Sequence, residues 1–216
     1  MIQKPVLFPC GELWLSGYCY YPEVDGTLPG VVVCHPHPLY GGSMGNSVIR
    51  ELGTAVSNHN IIALMFNFRG VGKSTGKFSD GIGEQDDVIA TLDWLAVQPQ
   101  IDIRRLGLCG YSFGGRVAAS VACKDERVKS MALISPAFSG TCSEDLQRCI
   151  KSKFFITGED DDVILPELVK FVYDTASQPK QFKLIPRVDH FWGGFEKTLA
   201  SEVANFFNST LRDIVR

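Results

Sequence analysis

Two hundred and sixteen residues, 45% of them hydrophobic, are enough chain for one sizeable core and exclude both a disordered segment and a small stapled scaffold. Twenty-one Lys and Arg against 24 Asp and Glu leave a formal net charge of −3, with no like-charged block longer than Asp160, Asp161 and Asp162, so no nucleic-acid partner is expected. The longest clear apolar run, Ile61 to Phe66, falls far short of the roughly 20 residues of a membrane span, and Pro5 and Pro9 interrupt any secretory signal, so a cytoplasmic chain without a membrane partner is expected.

Strand-like and helix-like segments alternate along the chain without a repeat or a Pro/Ser-rich linker, which predicts one α/β domain over residues 1–216. Val6 to Phe8 and Leu13 to Tyr20 are joined closely enough for an antiparallel start. Val31-Val32-Val33-Cys34 then reads as a buried strand running into the His35-Pro36-His37-Pro38 loop. Val48, Ile49, Leu52, Ala55 and Val56 recur at helical spacing, with a stop at residues 57–60. A strand from Ile61 to Phe68 precedes a helix through Val88, Ile89, Leu92 and Leu95, and Trp94 reads as helix core. Further strands are predicted at Arg105 to Gly110, Met131 to Ile134, Phe154 to Thr157 and Phe182 to Ile185, with helices at Val117 to Val121 and from Glu196 to Phe207. The count is eight strands, mostly parallel. Seven cysteines, none in a C-x-x-C pair, read as reduced core thiols rather than a zinc or redox motif.

The chemistry concentrates after the strand at 105–109. Gly110-Tyr111-Ser112-Phe113-Gly114 is a G-x-S-x-G pattern between a strand and a helix. A sharp turn there lifts the Ser112 side chain above the sheet, and glycines two positions to either side remove the Cβ atoms that would collide. The helix that follows brings free N–H groups, Phe113 first, for a developing oxyanion. Two later strands end in the groups that such a serine needs: Glu159-Asp160-Asp161-Asp162 after one, Asp189-His190-Phe191-Trp192 after the other. His190 is therefore expected to act as general base toward Ser112, with one Asp of the 160–162 run fixing its tautomer. A second oxyanion N–H is expected from the loop after the third strand. Pro36 and Pro38 have none, so within that segment His37 is the donor, with Tyr40 as the fallback. The side chains of His35 and His37 are read as structural, since no third ligand for a metal is identifiable. Gly70-Val71-Gly72-Lys73-Ser74 resembles a nucleotide loop only superficially: the first glycine of a P-loop would fall at Asn67. No cofactor is expected.

Taken together, Cys34-His35-Pro36-His37-Pro38-Leu39-Tyr40-Gly41-Gly42, Phe66-Asn67-Phe68-Arg69-Gly70, Gly81-Ile82-Gly83-Glu84, the Ser112 turn and Asp189-His190-Phe191 resemble the α/β-hydrolase superfamily, in its small, capless serine-hydrolase branch. The resemblance spans nearly the whole chain. It implies an eight-stranded α/β-hydrolase fold without a cap domain, and it selects Asp161 as the triad acid, because Gly158 to Val163 fits the family's G-x-x-D-x-V pattern. It also puts His37 in the oxyanion position and makes the 70–76 segment a glycine-rich turn beside the active site. Gly45 departs from the family, which often has Asp there.

The roughly fourteen residues between Phe138 and Lys153 allow one short helix and no lid, so an open site is expected. Leu39, Tyr40, Met44, Phe113, Phe138, Ile164, Leu165 and Trp192 are expected to line a small apolar acyl pocket. The expected function is hydrolysis of a small carboxylic ester through an acyl-enzyme on Ser112, His190 and Asp161. The alternatives are thioester or peptide hydrolysis on the same residues, or a non-catalytic interaction protein that kept the fold. A small-molecule ester or thioester is the expected partner, and the sequence sets no oligomeric state. Glu84, Asp86 and Asp87 read as an acidic surface at a helix N-terminus.

Overall fold

Val31, Val32 and Val33 are fully buried although consecutive strand residues face opposite ways, because the sheet they belong to is covered on both sides. A computed structural model describes residues 1–138 and 142–212. Its strands are β1 (Ile2–Cys10), β2 (Leu13–Tyr21), β3 (Leu28–Cys34), β4 (Ile62–Phe66), β5 (Ile101–Tyr111), β6 (Val128–Ile134), β7 (Ser152–Gly158) and β8 (Lys180–Ile185). They form one eight-stranded sheet in the order β1-β2-β4-β3-β5-β6-β7-β8. β1 with β2 and β2 with β4 are antiparallel, and every other pairing is parallel.

Among the described residues six α-helices flank the sheet: α1 (Ser47–Ser57), α2 (Gly83–Ala96), α3 (Phe113–Ala122), α4 (Cys142–Arg148), α5 (Pro166–Thr175) and α6 (Glu196–Thr210). Val32 packs with Val88 and Leu92 of α2, Val117 of α3 and Val169 of α5, which makes one core. Val31 and Val33 pack with Ile49 and Leu52 of α1 and Leu199 and Val203 of α6, which makes the other. Each side chain of this kind taken out of water contributes about 1.5–3 kcal/mol. The alternation along β3 thus assigns α1 and α6 to one face and α2, α3 and α5 to the other.

The observed elements run longer than the periodicity marks, by one to five residues at most ends. α5 is the helix that hydropathy does not mark: Val169 and Val172 are buried, but Leu168 and Phe171 face solvent and blur the apolar stripe. Pro166 and Glu167, in its first turn, are the local start signals. Trp94 is half-buried and stacks on Phe8 at 5.5 Å between centroids. Six cysteines are free thiols, five of them buried, while the side chain of Cys142 lies outside the described residues. Among the described residues no helix is long and apolar enough to cross a membrane.

Candidate active site

All six parallel strands, β3 to β8, leave their carboxyl ends on one edge of the sheet, and the polar loops gather there. β5 ends at Tyr111 and α3 begins at Phe113, so Ser112 makes the whole turn, at φ 54° and ψ −117°. That region is strained for a residue with a Cβ, at a cost of roughly 1–3 kcal/mol. The surroundings hold it: the Ser112 N–H donates to Ile134 O at 2.8 Å, and Ser112 O accepts from Gly115, Arg116 and Ala137 at 2.9, 3.2 and 3.1 Å. A Cβ at Gly110 would come within 2.2 Å of Gly114 O, and one at Gly114 within 2.4 Å of His35 O, so both glycines are demanded by the close approach of β5, α3 and the β3 loop.

Ser112 Oγ lies 3.0 Å from His190 Nε2, and His190 Nδ1 lies 3.0 and 2.9 Å from the two carboxylate oxygens of Asp161. All three residues are buried. A carboxylate only accepts, so Nδ1 carries the proton and Nε2 is left as an acceptor for the serine hydroxyl. Asp161 also accepts from the N–H groups of Val163 and Ile164 at 3.1 and 2.8 Å. Burial pushes its pKa up, but the hydrogen bonds from His190 and Ile164 outweigh it and hold the carboxyl below its usual range. Asp160 and Asp162 are exposed. A hydroxyl donating to a neutral imidazole backed by a carboxylate is arranged to lose its proton as it attacks an electrophile.

The His190 loop has its own supports. Tyr111 Oη donates to His190 O at 2.5 Å, and Asp189 Oδ1 accepts from the N–H groups of Phe191 and Trp192 at 2.9 and 3.1 Å. Trp192 does not cover the site. It is fully buried beneath it, with Nε1 donating to Ser135 Oγ at 3.4 Å, and the exposed ring of Phe191 lines the cavity instead. The tight turn at Asp189 sends these neighbouring rings in opposite directions.

On the other side of Ser112, the Phe113 N–H opens α3 and has no partner within the helix. His37 belongs to the same cavity. Its carbonyl accepts from Tyr40 and Gly42 at 3.1 and 3.0 Å, so the Tyr40 N–H already has a partner and the fallback donor is ruled out. The His37 ring packs against Tyr40, Phe78 and Phe113, and its pKa is lowered first by burial and then by the charge of Arg116. His35 is tied down at both nitrogens. Nδ1 donates to Pro36 O at 2.6 Å and Nε2 accepts from the Phe68 N–H at 3.1 Å, which leaves no lone pair for a metal. Among the described residues no group of three or more His, Cys, Asp or Glu could hold a metal ion.

The acidic residues at 84–87 are not a solvated surface, apart from Asp86. Glu84 and Asp87 are fully buried. Glu84 accepts from the N–H groups of Ser79 and Gly81, and Asp87 accepts twice from the Arg69 guanidinium at 2.9 and 2.8 Å and from the Arg69 N–H at 2.8 Å. They fix the loops beside the site.

A cavity of about 510 Å³ opens at Ser112 and His190. Of the eight residues expected to line it, Tyr40, Phe113 and Ile164 do. Met44 lines a separate cavity of about 540 Å³ with Tyr18, Gly45 and Gly72, so the family departure at Gly45 and the glycine-rich turn at Gly72 belong there and not at the serine. Phe138 lines an adjoining groove, and Leu39 and Leu165 face solvent. Sequence reading misses Asp80, Arg116, Val163 and Phe191, which do line the cavity. Arg116 carried a weak signal, since it stands four residues after Ser112 and directly before the helix predicted from Val117.

The profile of the family described as X-Pro dipeptidyl-peptidase (S15 family) matches residues 20–192. An uncharacterized protein of Rickettsia prowazekii is 32% identical over 181 residues, which cover 80% of this chain and 76% of that protein. Among solved structures, an α/β serine hydrolase homologue from Coxiella burnetii is 29% identical, with a TM-score of 0.86 over 95% of this chain and 97% of that one. A lidless α/β serine hydrolase from Xanthomonas campestris is 28% identical, with a TM-score of 0.84 over 97% and 95%.

Proposed function

We propose, from the premise that the chain belongs to the S15 family of X-Pro dipeptidyl-peptidases within the α/β-hydrolase superfamily, that it hydrolyses a small carboxylic ester through an acyl-enzyme on Ser112. The observation that carries this reading is the unbroken run of hydrogen bonds from Ser112 Oγ through His190 to both oxygens of Asp161. Ser112 Oγ attacks the ester carbonyl carbon while its proton passes to His190 Nε2. The imidazolium is stabilised by the Asp161 carboxylate, and the carbonyl oxygen, now negative, faces the N–H groups of Phe113 and His37. The intermediate collapses when Nε2–H protonates the leaving alkoxide, and the alcohol departs. A water then gives its proton to Nε2 and its oxygen to the acyl carbon. His190 returns that proton to Ser112 Oγ, and the carboxylic acid leaves.

The same transfers cleave a thioester, with a thiolate in place of the alkoxide. Removal of an X-Pro dipeptide is less well supported. A free peptide N-terminus is cationic, and the cavity meets it with the Arg116 guanidinium and with Asp80, whose carboxylate is 86% exposed and screened by water. Six free thiols suit a reducing compartment, so we place the reaction in the cytoplasm.

Labelling with a fluorophosphonate probe, followed by mass mapping, tests the reading. The expected result is one modified peptide, containing Ser112, that disappears in Ser112→Ala and is strongly reduced in His190→Ala. Folded wild-type protein that takes up no probe would leave the non-catalytic interaction protein as the better account.

A further inference from the structure

Arg116 stands one helical turn beyond Ser112, and because side chains on a helix lean toward its N-terminus, it reaches back over the turn that carries the serine. It is the one Lys or Arg among the residues lining the active cavity. Its guanidinium is held in place. It sits 5.1 Å over the Phe113 ring, Nη2 donates to Asp80 O at 3.2 Å, and its flat face rests on Gly81, where a Cβ would come within 2.7 Å of Nη2. Gly81 has φ +85°, so the backbone there also favours glycine. The Asp80 carboxylate is 3.9 Å from Nη2 and largely in water, and such exposed pairs contribute little, so this pair competes only weakly with a second carboxylate.

The sheet order decides which end of a substrate meets Arg116. Asp161 and His190 follow β7 and β8, on one side of β5, whereas His37 and the Asp80–Gly81 turn follow β3 and β4, on the other. His190 must protonate the leaving group, so the leaving group lies toward β7 and β8 and the acyl group toward His37 and Arg116. The walls around the acyl end are the apolar faces of His37, Tyr40 and Phe113. Apolar ring faces beside a guanidinium in the same cavity match an acyl chain that ends in a carboxylate, which a planar fork can grip at two points.

We propose that the substrate is the half-ester, or half-thioester, of a short dicarboxylic acid, and that Arg116 binds its distal carboxylate and thereby selects it. This rests on the acyl-enzyme reading above. The test compares kcat/KM for p-nitrophenyl hydrogen adipate with kcat/KM for its neutral methyl ester, corrected for spontaneous hydrolysis. Wild-type protein is expected to prefer the anionic ester at least tenfold. In Arg116→Gln that ratio is expected to fall at least tenfold, and in Arg116→Lys to an intermediate value, because an ammonium keeps the charge but not the fork. The lysine variant carries the test if the glutamine variant does not fold. A wild-type ratio at or below one, or a ratio that neither substitution moves, overturns the assignment. Fluorophosphonate labelling of Ser112 in the same samples separates the failures: labelled protein with a flat ratio sinks only the role of Arg116, and unlabelled wild-type protein sinks the hydrolase reading with it.

Discussion

His35 and His190 are both buried imidazoles just past the carboxyl ends of parallel strands, yet their surroundings prepare them for opposite work. The nitrogens of His35 meet only backbone: Nδ1 donates to Pro36 O and Nε2 accepts from the Phe68 N–H, and burial brings its pKa down to about 4. It is a neutral strut between the β3 and β4 loops. His190 meets a carboxylate at one nitrogen and a serine hydroxyl at the other, so a proton arriving at Nε2 is compensated at Nδ1. The difference lies in what the second nitrogen faces. Burial alone makes a histidine structural, and burial next to a carboxylate makes one that can hold and release a proton.

Removing the proton path is the harshest way to test that contrast. Ser112→Ala and His190→Ala should each lower kcat on a small activated ester by up to about 10⁶, with thermal unfolding close to wild type. Residual turnover within tenfold of wild type in either variant would end the contrast, since the second nitrogen of His190 would then face nothing that matters. Asp161→Asn comes next. It keeps the shape and the acceptor for the Ile164 N–H but stops compensating the imidazolium, and a loss of about 10⁴ in kcat is expected. Full activity in Asp161→Asn, with Asp160→Asn or Asp162→Asn inactive, would move the acid to an exposed neighbour.

The β4 side can be broken too, with stability as the readout. Asp87 is fully buried and holds the Arg69 guanidinium and N–H, so Asp87→Asn leaves a largely buried cation with only the exposed Asp86 carboxylate, 4.0 Å away, as counter-charge. Loss of a buried partner costs about 3–5 kcal/mol, which in a chain of this size lowers Tm by roughly 10 °C. Scanning calorimetry checks this. An unchanged Tm would mean that the Arg69–Asp87 pair does not brace the loops, and that the β4 side contributes less to the architecture than its burial implies.

The parts of this arrangement that were legible in the sequence are those that a local pattern specifies. Apolar runs of four to six residues marked the parallel strands because both faces of the sheet are covered, and Gly110 and Gly114 marked Ser112 because the turn leaves no room for Cβ atoms. His190 and the acidic run were placed by their strands. What stayed hidden depends on which way a side chain turns. Trp192 and Phe191 are neighbours of similar hydropathy, and the turn held by Asp189, with its positive φ at Trp192, sends one into the core and the other to the cavity. Glu84 and Asp87 read as surface because a carboxylate in a sequence does not reveal that backbone N–H groups and Arg69 will satisfy it. Met44 and Gly72 went to the wrong cavity because loops after adjacent strands look alike until they are folded.

The gentlest test is the pH dependence of stability, and its sign follows from His35. Its pKa is about 4 in the folded protein, below the usual value of 6.5, because burial penalises the charged ring. Between those values the unfolded chain binds a proton at this site that the folded chain does not, so folding stability rises with pH across that window. The contribution is fully present above pH 6.5 and is lost progressively as pH falls toward 4, a change of roughly 3 kcal/mol. Carboxylates titrate in part of the same range, so the informative quantity is the difference between wild type and His35→Gln in urea unfolding at pH 7.5, 6, 5 and 4. Glutamine can accept from the Phe68 N–H but does not titrate. The variant is expected to be less stable at pH 7.5 by about 1–2 kcal/mol, through imperfect replacement of two buried hydrogen bonds, and to converge with or overtake wild type near pH 4. Parallel curves would show that His35 charges as readily folded as unfolded. A loss of activity in His35→Gln as large as that in His190→Ala would show that the two histidines do the same kind of work after all.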